Sequence, residues 1–353
     1  MDFLYAMIGG LIVGALFGFV LQSGRFCMNS AFRDIILLKE FKLAKAVVIA
    51  IVVEMVGFGI FAAAGVITLS VKTFNVGGSI VGGLVFGIGM VLAAGCASGT
   101  TYRVGEGMMG SLVAAIGLTS GALATAYGLF KPAKDAIQSV TVGTKLTVFG
   151  EYDAVLTPVL MIIVGIILAV VIFFFWGLPG FKNKRASDEP LIKTDDVVTQ
   201  VFKKGYPYWV AGITVGIVGI VGYLVNAGGT GALGGGGTLG ITGGWMDLSL
   251  YLTTNDAVAW AGFIILGLIL GSFISALIAG EFKLRIPKDG KTLLIQLIGG
   301  LIMGFGAVTA AGCNITNVLG GVPQLSIHSI VVGACIMLGC WIMTYLLFMR
   351  KED

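Results

Sequence analysis

Charge is scarce in this chain. Of 353 residues, 22 are Lys or Arg and 18 are Asp or Glu, so only 11% carry charge, against about a quarter in a soluble domain. That supply cannot cover a water-facing surface, which excludes a soluble multidomain enzyme. The net charge of +4 is small and scattered, so nucleic acid is not an expected partner. Histidine occurs once, as His328. With isolated cysteines it makes no ligand cluster of recognisable spacing, so no metal is expected. The five cysteines contain no Cys-x-x-Cys pair, which argues against a stapled ectodomain. The first apolar segment lacks a basic n-region and a following A-x-A site. It reads as a retained span rather than a cleaved signal.

What the chain has in quantity is apolar sequence: 57% hydrophobic residues, 56 glycines and a mean hydropathy of +1.01. Windows long enough to cross a bilayer as helix fall at 3–23, 46–69, 79–97, 108–130, 154–177, 206–226, 257–280, 293–312 and 327–349. Lipid cannot satisfy an open backbone, so these spans must be helical. The expected fold is all-α: a polytopic membrane protein of about nine transmembrane helices with re-entrant or short helices. Basic residues concentrate in the first loop (Arg25, Arg33, Lys39, Lys42, Lys45), in 178–205, in 281–292 and in Arg350-Lys351. The stretch 227–256 has no Lys or Arg. By the positive-inside rule the N-terminus lies outside and the C-terminus in the cytoplasm. Loop 131–153 sits least easily with this, because it carries Lys131, Lys134 and Lys145, accompanied by Asp135, Glu151 and Asp153.

An internal repeat is visible. GGLVFGIGMVLAAGC at 82–96 aligns with GGLIMGFGAVTAAGC at 299–313, and Glu40-Phe41-Lys42-Leu43 recurs as Glu281-Phe282-Lys283-Leu284. The expected division is a first half over 1–130, a connecting span and basic loop over 131–205, and a second half over 206–353. The single connecting span makes the halves inverted, as in secondary transporters with a site near the midplane. A purely structural duplication is the alternative. Small-xxx-small spacings such as Gly10, Gly14 and Gly18 suit close helix packing.

Cys27 lies in Gly-Arg-Phe-Cys-Met-Asn-Ser after the first span, a glycine-led polar break that reads as re-entrant. Cys96 and Cys313 each end an apolar helix and are followed by small or polar residues: Ser98, Thr100 and Thr101 in one half, Asn314, Thr316 and Asn317 in the other. Gly24, Gly95 and Gly312 precede the cysteines and can bring backbone close to a permeating ion. The counterpart of Cys27 in the second half falls near Thr242, with no cysteine. Cys335 and Cys340, inside the last apolar span, read as small hydrophobes. Gly229–Gly234 matches G-x-G-x-x-G but lacks a βαβ unit, so no dinucleotide cofactor is expected. Glu54, inside a span, is a functional candidate by default, either paired with a base or serving proton coupling. Arg103 and Glu106 are spaced for a local pair. Arg25 and Arg33 are candidates to attract an anion.

The motifs GRFCMNSAFRD (24–34), AGCASGTTYRVGEG (94–107) and AGCNITN (311–317) resemble the three cysteine motifs of the YeeE/YedE family of sulfur-transport membrane proteins, and most closely its thiosulfate-uptake branch. The resemblance implies a bacterial inner-membrane permease for the thiosulfate ion, with Cys27, Cys96 and Cys313 along the path and Gly24, Arg25, Asn29, Arg33, Gly95, Ser98, Thr100, Arg103, Glu106, Thr242, Gly312, Asn314 and Asn317 in support. It also implies a TusA-like sulfur-carrier protein as a cytoplasmic partner; no carrier domain is expected within this chain. The residues suit that cargo: thiols are weak S–H donors for a soft terminal sulfur and cost little to bury, while helix N-termini hold oxyanion oxygens. Two alternatives stay open: another small sulfur or selenium compound as cargo, and a membrane sulfurtransferase that forms a cysteine persulfide.

Overall fold

In the computed structural model of the chain, residues 3–177, 207–227, 239–254 and 258–350 are described. The basic loop 178–205 lies wholly outside them, as do Lys351 and most of the glycine run 228–240. Among the described residues nine helical stretches are long and apolar enough to cross a bilayer, one for each apolar window. The protein is an all-α polytopic membrane protein.

The helices are α1 (Phe3–Ser23), α2 (Met28–Leu37), α3 (Lys42–Ala63), α4 (Gly83–Leu92), α5 (Ala97–Gly105), α6 (Met109–Ala126), α7 (Lys131–Gln138), α8 (Leu156–Ile172), α9 (Tyr208–Ala227), α10 (Ile241–Thr254), α11 (Trp260–Ala279), α12 (Gly290–Thr309) and α13 (Ile327–Thr344). Short π-turns at Gly78–Gly82, Phe173–Gly177, Ile315–Leu319 and Tyr345–Met349 extend or follow them. A hairpin of β1 (Leu146–Thr147) and β2 (Gly150–Glu151) is the sole sheet among the described residues.

In lipid, apolar surface gives helices no reason to prefer each other, so association rests on close backbone approach. Glycines supply it. Gly14 and Gly18 of α1 lie against the backbone of Ile264 and Leu268 on α11, while Gly267 and Gly271 of α11 lie against Leu11 and Ala15. A second seam of the same kind joins Gly117 and Gly121 of α6 to Gly300 and Gly304 of α12. A Cβ at these positions would enter the facing helix, so the small-xxx-small spacings of the sequence become a set of interlocked contacts.

The packing is reciprocal. Helix α1 packs on α11 and α3 on α9; α4 packs on α13 and α6 on α12; α4 also lies along α12. Gly82 faces Ala310, Gly89 faces Met303, and Gly299 faces Leu92 and Ala93, so α4 and α12 run antiparallel. From Gly82 to Leu92 is about 15 Å of helix, and Cys96 and Cys313 leave opposite ends of this pair. Helix α8 is the most apolar span, with mean hydropathy 3.2 over Leu156–Trp176 and only 11% of that window buried. It rests on α3 as a peripheral connector.

Each end is capped by an irregular segment. Met109 N donates to Arg285 O at 3.0 Å and Arg285 N to Gly107 O at 2.9 Å, which ties the loop after α11 over the α5 end. At the opposite end Val148 N of the hairpin donates to Leu325 O at 3.0 Å, and Gln138 Nε2 donates to Thr309 O at 2.9 Å. Segment 131–153, read from the sequence as a connecting loop, therefore contains helix and hairpin and covers the Cys313 end.

Candidate functional site

All three cysteine motifs fold into one local design. A helix stops with a paired 5→2 and 6→1 closure, and the cysteine then opens a new helix. Arg25 N donates to Gln22 O (3.0 Å) and Phe26 N to Leu21 O (2.9 Å); Ala94 N to Val91 O (3.1 Å) and Gly95 N to Met90 O (3.0 Å); Ala311 N to Val308 O (3.2 Å) and Gly312 N to Ala307 O (2.7 Å). The residue two before each cysteine is left-handed: Arg25 at φ 47°, Ala94 at 57° and Ala311 at 53°. Such a conformation costs a non-glycine residue about 1–2 kcal/mol. The cysteine carbonyl then accepts the first helical bond, from Ala31 N (2.9 Å), Thr100 N (2.8 Å) and Asn317 N (3.0 Å) respectively. Each thiol thus stands where a helix begins and backbone N–H groups lack helical acceptors. Cys96 uses one of them, accepting from Gly99 N at 3.3 Å, and its sulfur lies 3.5 Å from Ser98 Oγ.

The breaks converge. Cys27 Sγ and Cys96 Sγ are 4.0 Å apart. The residue after Cys27 meets the residue after Cys313: Asn314 Nδ2 donates to Met28 Sδ at 2.9 Å. Cys313 Sγ lies 3.6 Å from Thr316 Oγ1. A line of polarizable and polar groups therefore runs Cys96–Cys27–Met28–Asn314–Cys313. The three thiols are buried, at 0–2% exposure, so the line is occluded from both ends. Gly99 sits beside the first pair; a Cβ there would come within 2.8 Å of Cys27 Sγ and 3.2 Å of Cys96 Sγ.

A cation clasps each of the two Ala-Gly-Cys breaks. Arg103 Nη1 donates to Ala94 O beside Cys96. Lys72 Nζ donates to Ala311 O, and also to Asn317 Oδ1 at 3.1 Å, beside Cys313. Asn317 in turn donates Nδ2 to Gly312 O at 2.9 Å, so one side chain holds both the break and its cation. Burial lowers the Lys72 ammonium to about 8, and nearby Cys313 opposes that shift. Around the Arg103 end lie acids: burial raises Glu106, with Arg103 pulling it back, and Glu281 pairs with Arg25.

Comparison with known proteins settles the family. A profile described as sulphur transport matches residues 23–342. The chain belongs to the sulphur transport family. It is 40% identical over 344 residues to a protein of Spirochaeta thermophila named thiosulfate transporter TsuA, covering 97% of this chain and 99% of that one. It is 32% identical over 352 residues to the Escherichia coli protein of the same name, covering 98% and 96%. A segment of 80 residues, 23% of this chain and 20% of the other, is 40% identical to the probable transporter YedE of Escherichia coli.

In this family member the supporting residues divide into those at the line and those beside it. Gly24, Gly95, Ser98, Thr100, Gly312, Asn314 and Asn317 build the breaks themselves. Thr100 Oγ1 donates to Ala97 O at 2.9 Å, which fixes the first turn of α5. Asn29 is buried on α2, and its Oδ1 accepts from the Cys340 thiol at 3.8 Å. That contact brings Cys340 to the edge of the site, whereas Cys335 meets α4 at Gly83. Thr242 opens α10, with Oγ1 buried and lacking a partner; Trp245 of the same helix donates Nε1 to Thr101 Oγ1 at 2.8 Å. Arg25 and Arg33 are engaged by carboxylates, Glu281 and Asp34. Arg103 turns back to Ala94 O, so the local Arg103–Glu106 pair is an electrostatic neighbour rather than an ion pair within 4 Å. Lys72 is the residue that sequence reading missed. It lies in an irregular segment, 239 residues before its backbone partner, and no spacing rule connects the two.

Proposed function

We propose that this chain imports thiosulfate through a bacterial inner membrane by transient, non-covalent S–H···S contacts along Cys313, Cys27 and Cys96. The observation that carries the reading is the convergence of three separately coded helix breaks, which puts two thiols 4.0 Å apart and ties the third motif to them through Asn314 and Met28. Relatives named thiosulfate transporters cover nearly the full chain at 32–40% identity, which supports the cargo.

The chemistry suits it. Thiosulfate carries oxygens at one end and a soft sulfur at the other. The helix starts behind Cys27 and Cys96 offer N–H groups and a favourable dipole to the oxygens. The thiols offer weak donors to the sulfur, and weak contacts at successive positions let an ion bind and still leave. Lys72 and Arg103, clasping opposite breaks, supply positive charge at each end without placing a fixed cation among the thiols. The ion parts the occluded line as it passes, since the thiols leave no open channel.

In this reading the N-terminus is outside, the Lys72–Cys313 end receives the ion from outside, and the Arg103–Cys96 end delivers it to the cytoplasm. The halves 1–130 and 206–353 are inverted repeats joined by 131–205; antiparallel α4 and α12 and the reciprocal helix pairs support this. The inner mouth is where a TusA-like carrier would receive the ion. The test is growth of a transporter-deficient bacterium on thiosulfate as sole sulfur source. Cys27→Ala, Cys96→Ala and Cys313→Ala should each abolish it, and full growth of all three variants would refute the cysteine path.

A further inference from the structure

Glu54 lies near the middle of the span Lys42–Ala63 and is 2% exposed. Its Oε2 has no hydrogen-bond partner, and no basic group forms an ion pair with it among the described residues. The carboxyl faces a cavity of about 20 Å³, lined by Glu54, Phe58, Gly219, Tyr223, Leu239, Ile315, Leu319 and Gly320; that is room for one water. Gly219 of α9 makes the seat, because a side chain there would overlap Oε1. Ile315 and Leu319 belong to the short helix that begins beside Cys313, and Gly320 caps its end. The carboxyl and the third cysteine motif thus share one small structural unit.

We propose that Glu54 is a proton-binding site that couples proton entry to anion passage. This rests on the transport reading above. A dianion entering a negative cell is opposed about fiftyfold per unit charge for each 100 mV, which is about 2.3 kcal/mol, so import gains from a positive charge carried with it. A carboxylate without cation or full hydrogen bonding is costly at mid-membrane. With the short helix closed over it, as here, the carboxyl is accommodated when it holds a proton. Loss of the proton creates a demand for water or donors that the wall Ile315–Leu319–Gly320 cannot meet, and the short helix must shift away, changing access at Cys313. One proton is taken up outside as the ion enters and released inside as the ion leaves; no bond other than O–H forms or breaks.

The surroundings hold few competing groups. Tyr223 is the other titratable side chain lining the cavity, and its hydroxyl donates to Thr68 O at 2.9 Å. Helix α8, packed on the other side of α3, carries no titratable residue. Arg33 and Asp34 of α2, which also packs on α3, are paired with each other.

The experiment uses purified full chain in liposomes with an internal pH dye and radiolabelled thiosulfate, comparing wild type with Glu54→Gln. Wild type should acidify the lumen as thiosulfate enters. In Glu54→Gln, exchange of internal for external thiosulfate should persist, which shows that the variant is folded. Its acidification should vanish, and the gain in thiosulfate accumulation per unit of outside-acid pH gradient, about tenfold for one coupled proton, should be lost. Thiosulfate entry without acidification in wild type, entry driven by sodium instead, or wild-type acidification in Glu54→Gln would overturn the proposal. Absence of any thiosulfate movement in wild type would overturn the transport reading, and the coupling with it.

Discussion

Gly99→Ala is the smallest change that drives an atom between the two paired thiols. Its Cβ would lie 2.8 Å from Cys27 Sγ and 3.2 Å from Cys96 Sγ. Unstrained heavy-atom contacts sit at about 3.5–4.0 Å, so the Cys27 sulfur must retreat by about 1 Å. It has little space to do so, since Phe26, Met28 and Ala31 around it are buried. Overpacking of this kind costs about 1–3 kcal/mol, while alanine returns about 0.5–1 kcal/mol over glycine within a helix. The net loss of stability is therefore about 0–2.5 kcal/mol, small enough to leave a folded protein. The effect on uptake should be far larger, because a displacement of about 1 Å at a positioned group can cost about a hundredfold. The assay is initial thiosulfate uptake into liposomes, with thermal unfolding measured on the same preparation. Gly243→Ala on α10, where a Cβ meets nothing within 4 Å, is the control and should leave uptake unchanged. Wild-type uptake by Gly99→Ala would refute the reasoning, since the ion would then not pass between these sulfurs.

Lys72→Met should weaken thiosulfate binding about 10- to 100-fold, the value of a charge-assisted hydrogen bond, measured by uptake against concentration. Because Lys72 is held at about 8, its charge is complete below that pH and lost above it. Wild-type affinity should fall as pH rises from 7 to 9, and Lys72→Met should be flat over that range. Cys340→Ala should slow uptake about two- to fivefold through the lost S–H···O contact to Asn29, whereas Cys335→Ala should leave it unchanged in the same assay. Ala94→Gly should raise stability in thermal melts by up to about 1.5 kcal/mol, the left-handed penalty less the added chain entropy of glycine.

Spans were the most legible feature, because a bilayer imposes a length and a polarity that each helix must meet alone. All nine apolar windows correspond to helices, down to the peripheral Leu156–Trp176. The three cysteine motifs were legible as helix ends, but their shared closure was not. Reading left-handed backbone from sequence relies on glycine, and here Arg25, Ala94 and Ala311 take that conformation. Charges were the least legible. Arg25 and Arg33 look available in the sequence, yet each finds a carboxylate, and for Arg25 that is Glu281, 256 residues away. Lys72 has the same difficulty in reverse, since its partners at Ala311 and Asn317 lie in the other half of the chain. Cys340 read as filler because its helix is apolar all round; only packing against α2 reveals the contact with Asn29.

The central claim is that thiosulfate passes whole along three thiols. It is tested by loading one side of reconstituted liposomes with thiosulfate labelled only on its terminal sulfur, then analysing both the ion that crosses and the protein. Intact labelled thiosulfate should appear on the far side, with Cys27, Cys96 and Cys313 recovered as unmodified thiols by mass spectrometry. Release of sulfite, with the labelled sulfur recovered as a persulfide on any of the three, would contradict it.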